Sequence, residues 1–374
     1  MDNNPSFSEL QFGYFLDFNY WNEALQLLNF QIDQRKTNKH YNKLNLFYFE
    51  KIKNEMKNLY SIDYYNQKIA NNLFYGLEKE FFFYKYPLPK LGFGVRQHYF
   101  FSYPMLSLYY AIGLYLLKLS QQFIDDHKTK SIISFYGGNL GFDGDKLQVS
   151  KEKIYFKKYY KSFRKYVRNE TKRDAKNKIV ILLDVQNYFE NIPIRKLLNF
   201  LENSVKPTVK KKMNYDSTTI ALIDFYFCFL SNNQLGIPQG DNNIISSFIS
   251  YLYLSFGDLM IIDSISKYSS DILKNYRIIR YIDDIYLIIT FTEEISQKQK
   301  EDFVHNLIIN LMDVFYINFN LRLNSNKSSI YFLNDKNDMK KLIKSLKKVS
   351  PEYPFSDDED DEPPQNKIDN ILDE

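Results

Sequence analysis

Three acidic residues stand where metal-dependent phosphoryl chemistry needs them. In Lys178–Ile192, KIVILLDVQNYFENI, an apolar run delivers Asp184 at its end and then gives way to a helix-compatible segment. In Arg277–Thr290, RIIRYIDDIYLIIT, two apolar runs flank Asp283-Asp284, so the pair falls in the tight turn of a hairpin. Adjacent carboxylates repel unless a cation neutralises them, and hard oxygen donors suit Mg²⁺, with Mn²⁺ as the alternative. Asp-Asp is also ordinary turn chemistry. The second strand-end acid tips the balance. Two such strands side by side bring Asp184 beside Asp283 and predict a clamp for two ions roughly 4 Å apart, the arrangement that stabilises the attacking and leaving oxygens of a phosphoryl displacement.

The elements that position these acids are legible as periodicities. Residues 1–80 mix apolar and charged side chains at helical spacing, as in Trp21, Ala24, Leu25, Leu27, Leu28 and Phe30, and predict a helical N-terminal layer. Pro and Gly breaks between Tyr86 and Ser102 predict a strand–turn–strand unit, and a long apolar helix follows over about Pro104–Phe123. The four glycines of Phe135–Leu147 have no following Lys-Ser/Thr and are read as a turn-rich connection. Residues Lys151–Lys178, dense in Lys, Arg and Tyr, fit an amphipathic helix with a solvated basic face better than a dedicated phosphate track. Gly236, Pro238 and Gly240 form a rigid turn before an apolar helix from Ile244, offering backbone N–H groups and Gln239 to a base or nucleotide.

Composition narrows the class. With 44% apolar residues over 374, the chain builds a substantial core. The lone Cys228 sits in an apolar run and rules out an intramolecular disulfide, which suits a reducing, cytoplasmic setting. His40, His98, His127 and His305 show no ligand-like spacing, so a Cys/His zinc site has no support. The N-terminus carries no secretory pattern, and the uncharged stretch Tyr99–Leu117, with five tyrosines, Pro104 and Gly113, reads as a buried helix rather than a bilayer span. From Glu352 onward ten acids face only Lys367, leaving 48 basic against 35 acidic side chains before it, a surplus of 13 that favours a polyanionic partner. The segment from Ser356, SDDEDDEPP, is expected to be disordered.

In order and spacing these segments resemble reverse transcriptases. Asp184-Val-Gln-Asn-Tyr-Phe189 resembles the first palm motif, Gly236-Ile-Pro-Gln-Gly240 the second, Tyr281-Ile-Asp-Asp284 the third, and Leu323-Asn324-Ser325-Asn326-Lys327 the fourth. Upstream, Lys90-Leu-Gly-Phe-Gly-Val-Arg96 is similar to a fingers element. The resemblance implies an α+β fold of the right-hand polymerase kind, its palm an antiparallel sheet packed on helices. The expected divisions are a helical region over 1–80, fingers over 81–178, palm over 179–335, a short thumb-like remnant over 336–355 and an acidic tail over 356–374. It implies that Asp184, Asp283 and Asp284 hold the metals and that Phe189 gates against a ribose 2′-OH. It further implies that Lys90 and Arg96 grip the triphosphate, that Gln239, Gly240 and Tyr281 contact nucleotide or template, and that Lys327 protonates the departing pyrophosphate.

Two departures qualify the resemblance. Asp241-Asn242-Asn243-Ile244 stands where Ser-Pro-x-Ser is usual after the second motif, and little chain follows Lys327. With the N-terminal helical region, these features are most similar to bacterial abortive-infection and other antiphage reverse transcriptases. That subgroup implies dNTP substrates, a DNA product, an RNA template or associated non-coding RNA, a 3′ or protein hydroxyl as primer, a partner protein or second copy completing the site, and no membrane. The alternatives are a retron-like or group II-like retroelement enzyme and a non-catalytic palm that binds RNA for a partner polymerase. An RNA-directed RNA polymerase fits less well, since it usually has Gly-Asp-Asp at the hairpin and a second Asp where Phe189 stands, so Tyr281 and Phe189 both argue against it.

Overall fold

The protein was analysed as a computed structural model, which describes residues 11–35, 48–49, 51–52, 57–71, 80–89, 95–144, 146–149, 155–172, 177–240, 243–268, 272–292, 295–334 and 336–347. Helix α1 (Phe18–Arg35) and the short α2 (Ile62–Tyr65), capped by Ser61 Oγ accepting from the Tyr64 amide, lie in the N-terminal stretch. Trp21 is fully buried there and donates its indole N–H to the Leu59 carbonyl at 2.8 Å. Strands β1 (Phe83–Pro89) and β2 (Val95–Phe101) pair antiparallel as a separate hairpin, matching the strand–turn–strand reading.

Helix α3 (Tyr103–His127) starts at Ser102, whose hydroxyl accepts from the Met105 amide, with Pro104 in the first turn. Every residue from Tyr103 to Leu117 is buried, which is why the stretch is apolar all round: it is a core helix. Its partner at the centre is α9 (Ile244–Tyr268), the one helix among the described residues long and apolar enough to cross a membrane; 83% of its most apolar stretch is buried in the fold. Gly113 lets the two approach, since a Cβ there would meet Ile245 Cγ2 at 2.3 Å.

The principal sheet has five strands in the order β3-β7-β8-β6-β9: β3 (Ile132–Phe135), β7 (Leu273–Tyr281), β8 (Asp284–Phe291), β6 (Lys178–Asp184) and β9 (Ser329–Phe332). β7, β8, β6 and β9 pair antiparallel, but β3 joins the β7 edge in parallel, so the sheet is mixed rather than purely antiparallel. A parallel neighbour needs a long crossover, and the chain between β3 and β7 supplies one. Between β3 and β6 lie the small hairpin β4 (Gly141–Asp143) and β5 (Lys146–Gln148), in the stretch read as turn-rich, and helix α4 (Tyr155–Lys172).

Alternation along the strands serves two cores. Ile179, Ile181 and Leu183 of β6, with Ile285, Leu287 and Ile289 of β8, face the main core with α3 and α9. Val180, Ile279, Tyr286 and Ile288 face a second core closed by Phe163 and Val167 of α4, Tyr331 of β9 and Leu342 and Leu346 of a last helix, Lys336–Lys347. Both faces are covered, so the strands read as continuous apolar runs rather than as alternating ones. Between β6 and α9 the chain forms α5 (Tyr188–Asn191), α6 (Ile194–Ser204), α7 (Pro207–Lys212) and α8 (Ser217–Ser231); α10 (Gln297–Phe319) follows β8, and the last helix is α11.

The tyrosine excess serves this interior. Tyr109 shares a hydrogen bond with Ser246 at 2.8 Å, while Tyr188, Tyr215, Tyr226 and Tyr253 donate to the carbonyls of Ser250, Leu198, Met105 and Phe319. Burial pushes the Tyr136, Tyr188 and Tyr226 hydroxyls well above their ordinary range.

Candidate active site

The register of β6 against β8 places Asp184 directly opposite Asp284, at the same end of both strands. Asp283 lies one residue earlier, in the two-residue turn closed by the Tyr281–Asp284 pair. Ile282, the other turn residue, has φ +51°, an uncommon conformation for a β-branched side chain. Positive φ at the first central position alone is the sign pattern of a type II′ hairpin turn, whose twist suits the flanking strands.

That strained residue is held from both sides. Its amide donates to the Phe135 carbonyl at 3.2 Å, so edge strand β3 braces the turn. Its carbonyl accepts from Arg280 Nη1 at 3.1 Å. Arg280 is fully buried, and its other nitrogens grip Asp258 of α9 in a fork, Nε at 3.0 Å and Nη2 at 2.8 Å, and reach Ser255 Oγ and the Tyr251 carbonyl. His127, at the end of α3, meets the same Asp258 carboxylate at 3.1 Å. Burial alone would raise the Asp258 pKa; the Arg280 guanidinium and the His127 contact outweigh it and hold the carboxyl below its usual range. Burial likewise opposes the charge on Arg280, and Asp258 restores it. The chain carrying the acids is thus tied to the two central helices.

Asp184 is shaped from the other side. Beyond β6, Val185 bridges to Leu323 and the Gln186 amide donates to the Arg322 carbonyl, laying the first and fourth motifs side by side. Asn324 donates to Asp184 twice, from its amide to the backbone carbonyl at 2.7 Å and from Nδ2 to Oδ2 at 2.9 Å. Lys327 Nζ stands 3.8 Å from Asp184 Oδ1; its side chain is 70% exposed and that of Asp184 14%, so a solvent-borne ammonium leans on a mostly buried carboxylate. Asn187 then turns the chain with φ +46° into α5, which carries Phe189.

Phe189 is half-buried against Tyr188, and its carbonyl accepts from the Ile237 amide at 2.9 Å. The Gly236 amide donates to the Ile192 carbonyl at 3.0 Å. Gly236 has φ +107°, and a Cβ there would lie 2.8 Å from the Glu190 carbonyl oxygen, so both conformation and space demand glycine. The next residues are pinned too: the Tyr99 amide of β2 donates to the Gln239 carbonyl at 2.7 Å, and Ser246 Oγ donates to the Pro238 carbonyl. Gly240 follows beside the Tyr99 carbonyl. The second motif therefore links the β1–β2 hairpin to the Asp184 turn.

The remaining residues sit at the margins. The Tyr281 ring packs edge-on against Tyr160 at 5.1 Å and tilted on Phe163 at 5.9 Å, joining the Asp283 turn to α4. Arg96 is half-buried on β2, opposite Leu88. Lys90, Asp241, Asn242 and the acidic segment lie outside the described residues. Asn243 caps α9, its Oδ1 accepting from the Ile245 and Ser246 amides at 3.1 Å.

Among the described residues no three acid, His or Cys side chains are gathered closely enough to hold a metal as they stand. The donors nevertheless fit a hard divalent cation: all are carboxylates, Asp184 and Asp284 face each other in register, and Asp184 already draws an ammonium. Residues 142–356, more than half of the chain, match the family described as reverse transcriptase (RNA-dependent DNA polymerase). The chain belongs to the reverse transcriptase family. It is accordingly an RNA-directed DNA polymerase, a nucleotidyltransferase that takes nucleotide substrates and an RNA template to a DNA product. Reverse transcriptases generally use divalent metals such as Mg²⁺. No curated protein matches the chain. The match includes all four palm-like motifs and leaves out Lys90 and Arg96.

Arg280, Asp258, His127 and the Asn324 contacts to Asp184 were not read from the sequence. A signal existed for two of them: Arg280 interrupts an apolar strand and Asp258 an apolar helix, and a lone charge in a buried element calls for a partner.

Proposed function

We propose that this reverse transcriptase adds dNTPs to a 3′ or protein hydroxyl by two-metal catalysis in a right-hand palm, and that it acts in the bacterial cytoplasm in antiphage defence. The single observation that carries the catalytic part is the register of Asp184 opposite Asp284, with Asp283 in the adjoining braced turn. These acids would hold two Mg²⁺ ions, which supply charge neutralisation for the entering and leaving oxygens. The chain's own residues do the positioning: Phe189 fills the space of a ribose 2′-OH, and Gln239 and Gly240 present backbone and amide to the nascent pair. Tyr281 supports the turn, Lys90 and Arg96 hold the β and γ phosphates, and Lys327, already beside Asp184, gives its proton to pyrophosphate. The sheet with its carboxylates serves as palm and the β1–β2 hairpin as part of the fingers. Asp241-Asn242-Asn243 after the second motif supports the defence reading.

The test is incorporation of labelled dNTPs by the purified full chain with its co-purifying nucleic acid and Mg²⁺ or Mn²⁺. Asp283→Asn/Asp284→Asn is expected to abolish incorporation and, in a bacterial host expressing the protein, to abolish protection in a phage plaque assay. Equal incorporation by both proteins removes the catalytic assignment; incorporation without protection removes only the defence role.

A further inference from the structure

On helix α4, Lys158, Lys161, Lys165, Arg168 and Lys172 recur at i, i+3 and i+4 intervals, so they form one stripe about 21 Å long. Four of the five are exposed and Arg168 is half-buried. The opposite face of the helix is spent on the sheet, where Phe163 and Val167 are buried. Helix α11 packs beside α4 over the same sheet face through Leu342 and Leu346, and it turns Lys340, Lys341 and Lys344 outward. The acids of these helices do not break the stripe. Glu170 is buried and paired with Arg277 at 3.1 Å, and Asp338 is engaged by the Phe332 amide and by Lys341. Repeated like charges at helical spacing destabilise a helix in isolation, and a bound polyanion relieves that repulsion. One end of α4 also touches the catalytic turn, through Tyr160 against Tyr281, and Arg164 lies over the Tyr160 ring at 5.5 Å.

We infer that the α4–α11 surface is a binding site for the phosphate backbone of RNA, outside the catalytic cleft and continuous with its edge. A stripe of this length runs along several successive phosphates of one strand. The surface offers cations and few base-reading groups, so it recognises backbone rather than sequence. The inference extends the polymerase reading by assigning a second contact for its RNA, yet it concerns binding alone.

The experiment measures the affinity of the full chain for a labelled RNA hairpin over a salt series, without dNTPs. The variant Lys161→Gln/Lys165→Gln/Lys340→Gln/Lys344→Gln is compared with a control of equal charge, Lys130→Gln/Lys206→Gln/Lys211→Gln/Lys212→Gln. The expected result is at least a 10-fold loss of affinity at low salt and a slope of log K against log salt shallower by about 3, near 0.9 per phosphate contact, for the first variant only. Because no turnover is read, a chain inactive as a polymerase still reports the site. Equal losses in both variants reduce the effect to net charge and overturn the proposal. Unchanged or raised affinity in the first variant also overturns it, the latter by showing that the stripe serves the chain's own acidic segment Asp357–Glu362.

Discussion

Arg280 donates through Nη1 to the carbonyl of Ile282 at 3.1 Å, so a fully buried guanidinium holds the residue that precedes Asp283 in the strained turn. Arg280→Met leaves Asp258 buried without its ion pair and is expected to cost about 3–5 kcal/mol, read as a lower denaturation midpoint. Arg280→Lys keeps the charge but lacks the planar fork that reaches Asp258 and Ile282 together. Its expected mark is a fall in kcat with little change in the KM for dNTP, since substrate binding survives while the acids lose their placement. A Lys variant with wild-type kcat contradicts this linkage.

Gly236→Ala tests the seam between the second motif and Asp184. The left-handed backbone alone costs an L-residue about 1–2 kcal/mol, and the new methyl meets the Glu190 carbonyl. Stability is expected to fall and nucleotide addition to drop further than stability explains, measured by melting and single-turnover incorporation on folded protein.

Lys327→Ala removes an exposed ammonium that leans on Asp184, so the fold is expected to keep its stability within about 0.5 kcal/mol. With the proposed proton donor gone, kcat is expected to fall by about 100-fold. Steady-state kinetics checks it, and an unchanged kcat removes the proton-donor role.

Phe189→Ala removes the ring without touching the backbone bond from Ile237. Competition between dNTP and NTP is expected to shift toward the ribonucleotide by roughly 10-fold or more. Unchanged sugar discrimination removes its gating role.

Alkali tests the buried tyrosines. Tyr136, Tyr188 and Tyr226 have folded pKa values raised by burial, so the stability they contribute is fully present below the ordinary tyrosine value and is lost as pH climbs past it. The denaturation midpoint is expected to hold to about pH 9 and fall steeply above about pH 10, with tyrosinate absorbance appearing together with unfolding. Gradual absorbance growth in a still-folded protein counters the assignment.

The residue sequence by itself determined the strands and the hairpin, because apolar runs ending in Asp184 and broken at Asp283 have few other ways to fold. It also marked the central helices, whose apolar character on every side has no use except burial. Only the tertiary structure decided that Asp284, rather than Asp283, stands opposite Asp184, since register depends on how many residues the turn consumes. Only it joined β3 to the sheet in parallel and drew Arg280, Asp258 and His127 into one network beneath the turn. Those partners lie 22 and 131 residues apart in pairs, and no local pattern couples positions so distant; burying a charge makes the partner necessary, while packing chooses which one it is.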